Sequence, residues 1–320
     1  MSVLRLAAVT AFVVLAAPAH GDSSRSRDSL SGVISGDLTM TAFRSAALAA
    51  ALALFAMPAL AADDSKLTDE QKAEAMDFAM HDAIFTLYHE SGHLLVHELG
   101  LPVLGKEEDA ADSLAVVQIF KNTKDEDELF NTMNDVADGW YYSSLNMTDE
   151  NIDTYDDHSL DIQRANTMVC MMVGANPDEF GETADAYEMD ADQQDACTET
   201  YQQAVDSWDK ELAAHMAKAP GPDIPVTYEA AGKYQRFADE LKSRKILEGI
   251  SSLLSTNFAL PRPLKIVAKQ CNEANAFYDE ETHSITYCYE LADDEYNLGA
   301  KNLFAEDDSS DASADDESAD

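Results

Sequence analysis

The sequence of 320 residues is poor in basic side chains, with 21 Lys and Arg against 61 Asp and Glu. The resulting net charge of -40 repels the phosphates of nucleic acids and the head groups of anionic lipids, so we exclude nucleic acid as a partner. Apolar runs are short as well, and none comfortably reaches the roughly 20 residues that a membrane helix requires. We therefore expect no stable membrane insertion.

Two metal-binding motifs are also missing from the sequence. There is no Cys-x-x-Cys pair, which speaks against a zinc site built from thiolates. There is no Asp-x-Asp-x-Asp-Gly loop, so a role as an acidic calcium-binding protein would rest on charge alone.

The beginning of the sequence contains two segments that resemble export signals. The second has Met40 and Arg44 at its positive end, then an apolar stretch, then a small-residue cleavage site at residues 59–61. We predict that residues 40–61 are a signal peptide. Residues 1–39 are then either an extension ahead of the true start or a first signal-like segment. The mature protein is expected to be periplasmic or secreted.

Past the cleavage site, residues 62–301 are expected to form one domain, and the acidic residues 302–320 to form a disordered tail. A capping box at Thr68 predicts a helix that ends at Leu99, and its unusual length predicts a break near its middle. Another helix is predicted over about residues 230–254.

Strand-like segments occur late in the sequence. Residues 264–268 and 285–289 have strand character, and residues 279–282 read as the turn of a hairpin. The pattern predicts an α+β fold that is mainly helical and carries a small sheet or hairpin.

The four cysteines form an even set, which in an exported chain favours two disulfides. Cys271 and Cys288 flank the same predicted hairpin, so we predict that these two pair with each other. Cys170 and Cys197 would then tie two helices together.

The segment His89-Glu90-Ser91-Gly92-His93 lies in the first predicted helix. A His-Glu-x-x-His pattern places two imidazoles one turn apart on one helical face, where both can bind one Zn²⁺ ion. We predict His89 and His93 as ligands of one zinc ion per chain. Glu90 is then placed to act as the general base that activates water and later protonates the leaving amine.

A catalytic zinc ion needs a third protein ligand and one open position. The next predicted helix offers Glu108 and Asp112, which share a face. We predict Glu108 as the third ligand and Asp112 as the carboxylate that orients a ligand imidazole. Asp109 or Asp112 as the ligand remains an alternative, and so does an ordinary acidic helix start.

These motifs resemble those of the gluzincin metallopeptidases, the thermolysin and neprilysin class, in which His-Glu-x-x-His is followed by Glu-x-x-Ala-Asp. The segment Asn275-Ala276-Phe277-Tyr278 is similar to the strand with which those enzymes hold the peptide backbone of a substrate. The resemblance implies a zincin-like core in which Asn275, Ala276 and Tyr278 bind a peptide or protein substrate. In gluzincins this edge strand precedes the zinc helix, whereas here it follows.

A closer resemblance extends over most of residues 80–291. The segment LPVLGKEEDAAD after the zinc helix, Asp157-His158-Ser159-Leu160 and residues 271–290 are similar to a family of uncharacterised bacterial proteins described as putative metallopeptidases. This resemblance implies a metallopeptidase without a known substrate.

His158 is the candidate for the group that stabilises the oxyanion formed during hydrolysis. It lies beside Asp156 and Asp157, and a neighbouring carboxylate would keep its imidazole protonated and oriented. A surface or helix-capping histidine is the open alternative.

Together these features predict an exported, zinc-dependent peptidase. The alternative is an exported zinc-binding interaction module with a non-catalytic metal site. The presence of Glu90 favours the enzyme, because a purely structural zinc site has no use for a base and fills its fourth position with another ligand.

Overall fold

A computed structural model describes residues 65–148, 152 and 154–304. The predicted signal peptide, residues 40–61, the segment 1–39 before it, and residues 305–320 of the predicted tail lie outside the described residues. Within the described ranges, no helix is both long and apolar enough to span a bilayer.

The described part of the chain combines nine α-helices with a four-stranded sheet, the mainly helical α+β architecture that the sequence predicts. The helices are α1 (Asp69–Leu99), α2 (Glu107–Asn122), α3 (Glu126–Ser144), α4 (Asp161–Ala175), α5 (Pro177–Ala186), α6 (Ala191–Leu212), α7 (Gln235–Ser243), α8 (Ile246–Asn257) and α9 (Tyr289–Asn302). The strands are β1 (Val226–Tyr228), β2 (Lys265–Lys269), β3 (Ala276–Asp279) and β4 (Ser284–Cys288).

Helix α1 is the central element of the fold. It begins at a capping box between Thr68 and Gln71, and it ends at Gly100, whose φ of 65° is the left-handed conformation that glycine adopts without strain. The predicted break in this helix was wrong, since α1 is continuous over 31 residues. Helices α2, α3, α8 and α9 and strand β3 pack around it and stabilise its full length.

The single helix predicted over residues 230–254 was also wrong. The segment forms two helices, α7 and α8, which meet at Arg244 and Lys245. Lys245 has a φ of 57°, and a left-handed residue cannot continue a right-handed helix. This turn allows α8 to pack against both α1 and α7.

The sheet has the strand order β1-β2-β4-β3 and is mixed. Strands β1, β2 and β4 run parallel, and β3 pairs antiparallel with β4 through the hairpin that the sequence predicts. Strand β3 is therefore an edge strand, and it contacts α1. This contact brings the C-terminal part of the chain to the helix that carries His89 and His93.

Two disulfides connect elements of the fold, with the pairing that the sequence predicts. Cys170 is bonded to Cys197, which links α4 to α6, and Cys271 is bonded to Cys288 beside the hairpin. Two disulfides are typical of a protein that folds in an oxidising compartment.

Candidate metal centre

His89 and His93 lie on the face of α1 that borders a cleft, with their Nε2 atoms 3.0 Å apart. The Nδ1 atom of His89 is 2.7 Å from Oδ1 of Asp112, and Nδ1 of His93 is 2.8 Å from Oε1 of Glu107. A carboxylate at Nδ1 holds the proton on that nitrogen, so each ring directs the lone pair of Nε2 into the cleft.

Glu108, at the start of α2, brings a third donor atom to the same point. Its Oε2 atom is 3.1 Å from Nε2 of His89 and 3.2 Å from Nε2 of His93. The approach of α2 to α1 depends on Gly92, because a Cβ atom there would lie 3.0 Å from the Cα atom of Ala111. The glycine inside the His-Glu-x-x-His segment thus allows the two helices to bring their side chains together.

The two other carboxylates considered as ligands have different partners. Asp109 accepts a hydrogen bond of 2.7 Å from Oγ of Ser159. Asp112 accepts hydrogen bonds from Nε and Nη2 of Arg164, at 2.8 and 2.7 Å, in addition to its contact with His89. The guanidinium of Arg164 also stacks on Trp140, 3.5 Å from the ring centre.

The charges in this cluster shift the pKa values of its members strongly. Burial would lower the pKa of His89, but hydrogen bonds with Asp112 and Glu108 outweigh it and raise the pKa to about 9. The pKa of His93 is raised by Glu108 and Glu107 in the same way. Burial opposes the ionisation of Glu108, yet its histidine partners hold its pKa well below the usual range. A cation that binds at the donor atoms takes the place of these protons.

Glu90 lies beside the donor atoms and is almost fully buried. Its Oε2 atom accepts a hydrogen bond of 2.7 Å from the backbone N–H of Tyr278 in β3. Burial raises the pKa of Glu90 above its ordinary value, and the charges of His89 and His93 partly offset this effect.

The edge of β3 that does not pair with β4 faces the cleft, and the peptide groups of every second residue point toward it. The N–H of Cys288 donates to the carbonyl of Asn275, so in the alternating antiparallel pattern Ala276 and Tyr278 direct their peptide groups away from β4. The N–H of Ala276 donates to the side chain of Asn275 at 2.9 Å, and that of Tyr278 donates to Glu90. The carbonyls of Ala276 and Tyr278 are the acceptors of this edge.

His158 also reaches the cleft, from the loop before α4. Its Nε2 atom is 3.0 Å from Oε2 of Glu108, and its Nδ1 atom is 3.2 Å from Oδ1 of Asp156. Lys106 holds the loop by donating to the carbonyls of Asp156 and His158, at 3.0 and 2.7 Å. The contact with Glu108 raises the pKa of His158, and the ring is about half exposed.

The cleft has a volume of about 400 Å³. The candidate donors His89, His93 and Glu108, together with Glu90 and His158, all line it. Its opposite wall is the segment of residues 274–278. The structure therefore brings the predicted metal-binding, catalytic and substrate-binding residues to one cleft, and Asp112 contacts the cleft through His89.

A family model described as "Putative metallopeptidase" matches residues 51–212 and 228–319 of the chain. The chain belongs to this family. Neither curated proteins nor solved structures include a significant match.

Membership in a metallopeptidase family implies a metal ion, and the donor atoms of the cleft fit one. In the described part of the chain, one group of side chains has ligand atoms close enough together to hold a metal ion, and it consists of His89, His93 and Glu108. A tetrahedral zinc ion with bonds of about 2.0–2.2 Å separates its ligand atoms by about 3.3–3.6 Å. The three separations of 3.0, 3.1 and 3.2 Å are close to that spacing.

Several residues of this candidate site were missed in the sequence analysis. Glu107 looks in the sequence like one more acidic residue at the start of α2, yet it contacts both His93 and His97. His97 also contacts Glu280 in the hairpin turn, at 3.0 Å. The spacing of His93 and His97, one helical turn apart, was the signal that both could meet one carboxylate. Glu280 carried no such signal, because only the fold brings it to this helix.

Proposed function

We propose that this metallopeptidase-family member is an exported, zinc-dependent peptidase that hydrolyses peptide bonds. The observation that carries the proposal is the convergence of three donor atoms, on His89, His93 and Glu108, next to the buried carboxylate of Glu90. Two imidazoles and one carboxylate with an open side are the ligand set of catalytic rather than structural zinc sites. Helix α1, which carries His89, Glu90 and His93, packs against the edge strand β3, and this arrangement supports a zincin-like core.

When bound, the metal supplies Lewis-acid activation of water and of the substrate carbonyl. Glu90 is the base of the proposed reaction. Because Tyr278 holds Oε2 of this carboxylate, Oε1 is the atom that takes the proton from water and passes it to the leaving amine. The burial of Glu90 raises its affinity for that proton, which suits a group that must hold it between the two steps.

His158 is proposed as the donor to the oxyanion. The contact of its ring with Glu108 favours the protonated form, and Lys106 fixes the loop that carries it. A protonated imidazole aimed at the cleft can donate a hydrogen bond to the negative oxygen that develops on attack.

A peptide is proposed to bind along the free edge of β3. The acceptors there are the carbonyls of Ala276 and Tyr278, so the backbone N–H groups of an extended substrate would donate to them. Asn275 orients the start of this edge through its side-chain bond to Ala276. The N–H groups of Ala276 and Tyr278 are already bonded within the protein. The edge therefore offers a substrate only acceptors, and the substrate can pair with it only as a donor.

Export is proposed from the two disulfides and from the signal-like segments of the sequence. N-terminal sequencing of the protein recovered from the periplasm or the medium tests this part. A first residue at or near Ala62 is expected, and recovery with residues 1–39 intact would contradict it.

A digest of a peptide library by the purified protein tests the peptidase assignment. Samples are compared without additive, with a chelator, and with zinc restored after chelation. We expect cleavage that the chelator abolishes and zinc restores. Stoichiometric zinc without cleavage of any peptide would favour the alternative of a non-catalytic zinc-binding module.

A further inference from the structure

The cleft continues past the candidate metal ligands to a floor that carries two carboxyls, Asp82 on α1 and Glu295 on α9. Asp82 precedes His89 by two helical turns, which is roughly 10 Å along the helix axis. Both carboxyls are partly exposed although they lie deep in the protein, because they face the cleft. We call this pair the acidic floor.

Among the described residues, no cation forms an ion pair with the acidic floor. In the described part of the chain, Glu295 has no ion pair or hydrogen bond, and Asp82 accepts one long bond of 3.3 Å from Thr86. The hydroxyl of Tyr287 is fully buried without a partner among the described residues. The charges of both carboxyls act on it and help to raise its pKa. Polar groups in a protein interior are normally hydrogen-bonded, so the unpartnered hydroxyl of Tyr287, next to Glu295 and to an Asp82 with one long bond, indicates a missing partner.

The positive charge of Arg164 acts on Asp82 from a distance, but the guanidinium forms its hydrogen bonds with other residues. Two of its nitrogens bind Asp112, and its guanidinium plane lies on Trp140. Because no direct ion pair offsets it, burial raises the pKa of Asp82 to about 7 and places the pKa of Glu295 well above its ordinary value. Without a ligand the pair keeps a proton at neutral pH, and a cationic group could take the place of that proton.

We propose that the acidic floor binds the cationic side chain of a lysine or arginine in the substrate, next to the bond that is cleaved. The inference rests on the proposed peptidase function. Phe85, Trp140 and Leu291 line the way to the floor and offer apolar contact to a methylene stem. Only a long side chain can reach two helical turns beyond the metal ligands with its charged end. The pair is not part of the group of described residues that could hold a metal ion.

A binding experiment tests this proposal independently of turnover. Two blocked tripeptide amides that differ only in a central lysine or norleucine are titrated by calorimetry into protein kept metal-free with a chelator. The lysine peptide is expected to bind about 10- to 100-fold more tightly, as for a hydrogen bond to a charged group. Glu295→Gln should reduce this ratio to near one. Glu199→Gln, an exposed glutamate on α6, removes the same charge outside the cleft and should leave the ratio unchanged.

Equal binding of the two peptides, no binding of either, or a lysine preference that survives in Glu295→Gln would overturn the inference. If Glu295→Gln does not fold, as judged by its circular dichroism melt, Asp82→Asn takes its place with the same expected result. A digest of both peptides by the zinc-loaded protein tests the peptidase function separately from the role of the acidic floor. Binding preference without hydrolysis contradicts the proposed function alone, and hydrolysis with equal binding contradicts the acidic floor alone.

Discussion

The carboxylate of Glu90 accepts a hydrogen bond of 2.7 Å from the backbone N–H of Tyr278. The phenol of Tyr278 donates in turn to Glu98, on the same helix as Glu90, also at 2.7 Å. Strand β3 is thus attached to α1 at two points, one of which is the proposed base. The position of the base and the position of the substrate-binding edge are therefore set by the same contacts.

Glu90→Gln keeps an oxygen that can accept the bond from Tyr278, but it removes the basicity of the side chain. We expect metal content and melting temperature close to wild type, and a fall in kcat of about 10²–10⁴. Metal content is measured by mass spectrometry, stability by calorimetry and kcat with a fluorogenic peptide. Loss of the metal in this variant would make Glu90 a structural residue, and full activity would assign hydrolysis to another site.

The sequence predicts the parts of this site that depend on local geometry. Two histidines one turn apart on a helix must share a face whatever surrounds them, so His89 and His93 could be placed without the fold. The contact between Glu90 and Tyr278 joins residues from opposite ends of the domain. No periodicity records it, because it depends on how β3 packs against α1.

Glu108→Ala tests the third ligand. Two imidazoles alone hold a zinc ion poorly, so we expect the affinity for zinc to fall by several orders of magnitude. Asp112→Asn keeps a polar partner for His89 and should cost only about 10–100-fold. Asparagine is preferable to alanine there, because its side-chain oxygen can still accept a hydrogen bond from the buried Arg164, whereas alanine offers no acceptor. Competition with a fluorescent chelator gives both affinities, and the reverse ranking would mean that the two carboxylates have exchanged roles.

Glu107→Gln tests a residue that sequence reasoning did not assign to the site. The neutral amide holds the ring of His93 less firmly, so we expect zinc affinity to fall by about tenfold. Asp109→Asn is the matched control, because Asp109 lies on the same helical turn and contacts Ser159. An equal loss in the two variants would show that only the negative charge of this turn matters.

Neighbouring acidic residues at a helix start can have separate tasks, which explains why Glu107 was missed. Consecutive residues on a helix point in directions about 100° apart. Glu108 therefore faces the donor atoms, whereas Glu107 meets the outer nitrogen of His93. The rule that acidic residues favour helix starts accounts equally for both, so composition alone could not separate them.

Asp82→Asn gives a pH-dependent effect on stability. The pKa of Asp82 rises from 3.8 to about 7 on folding, mainly through burial. Between these pH values the folded protein holds a proton that the unfolded chain has released. The contribution of Asp82 to the free energy of unfolding should therefore fall as the pH rises through this window and level off above it.

The asparagine variant cannot lose that proton, so its stability relative to wild type should rise with pH. We expect a gain of about 1 kcal/mol or more between about pH 4.5 and about pH 7.5. Urea denaturation of both proteins in the presence of a chelator measures this difference without a contribution from metal binding. Taking the difference also cancels the titration of the histidines that both proteins share. A difference that is flat across this pH range would mean that Asp82 is already ionised in the folded protein, with the charge of Arg164 outweighing the effect of burial.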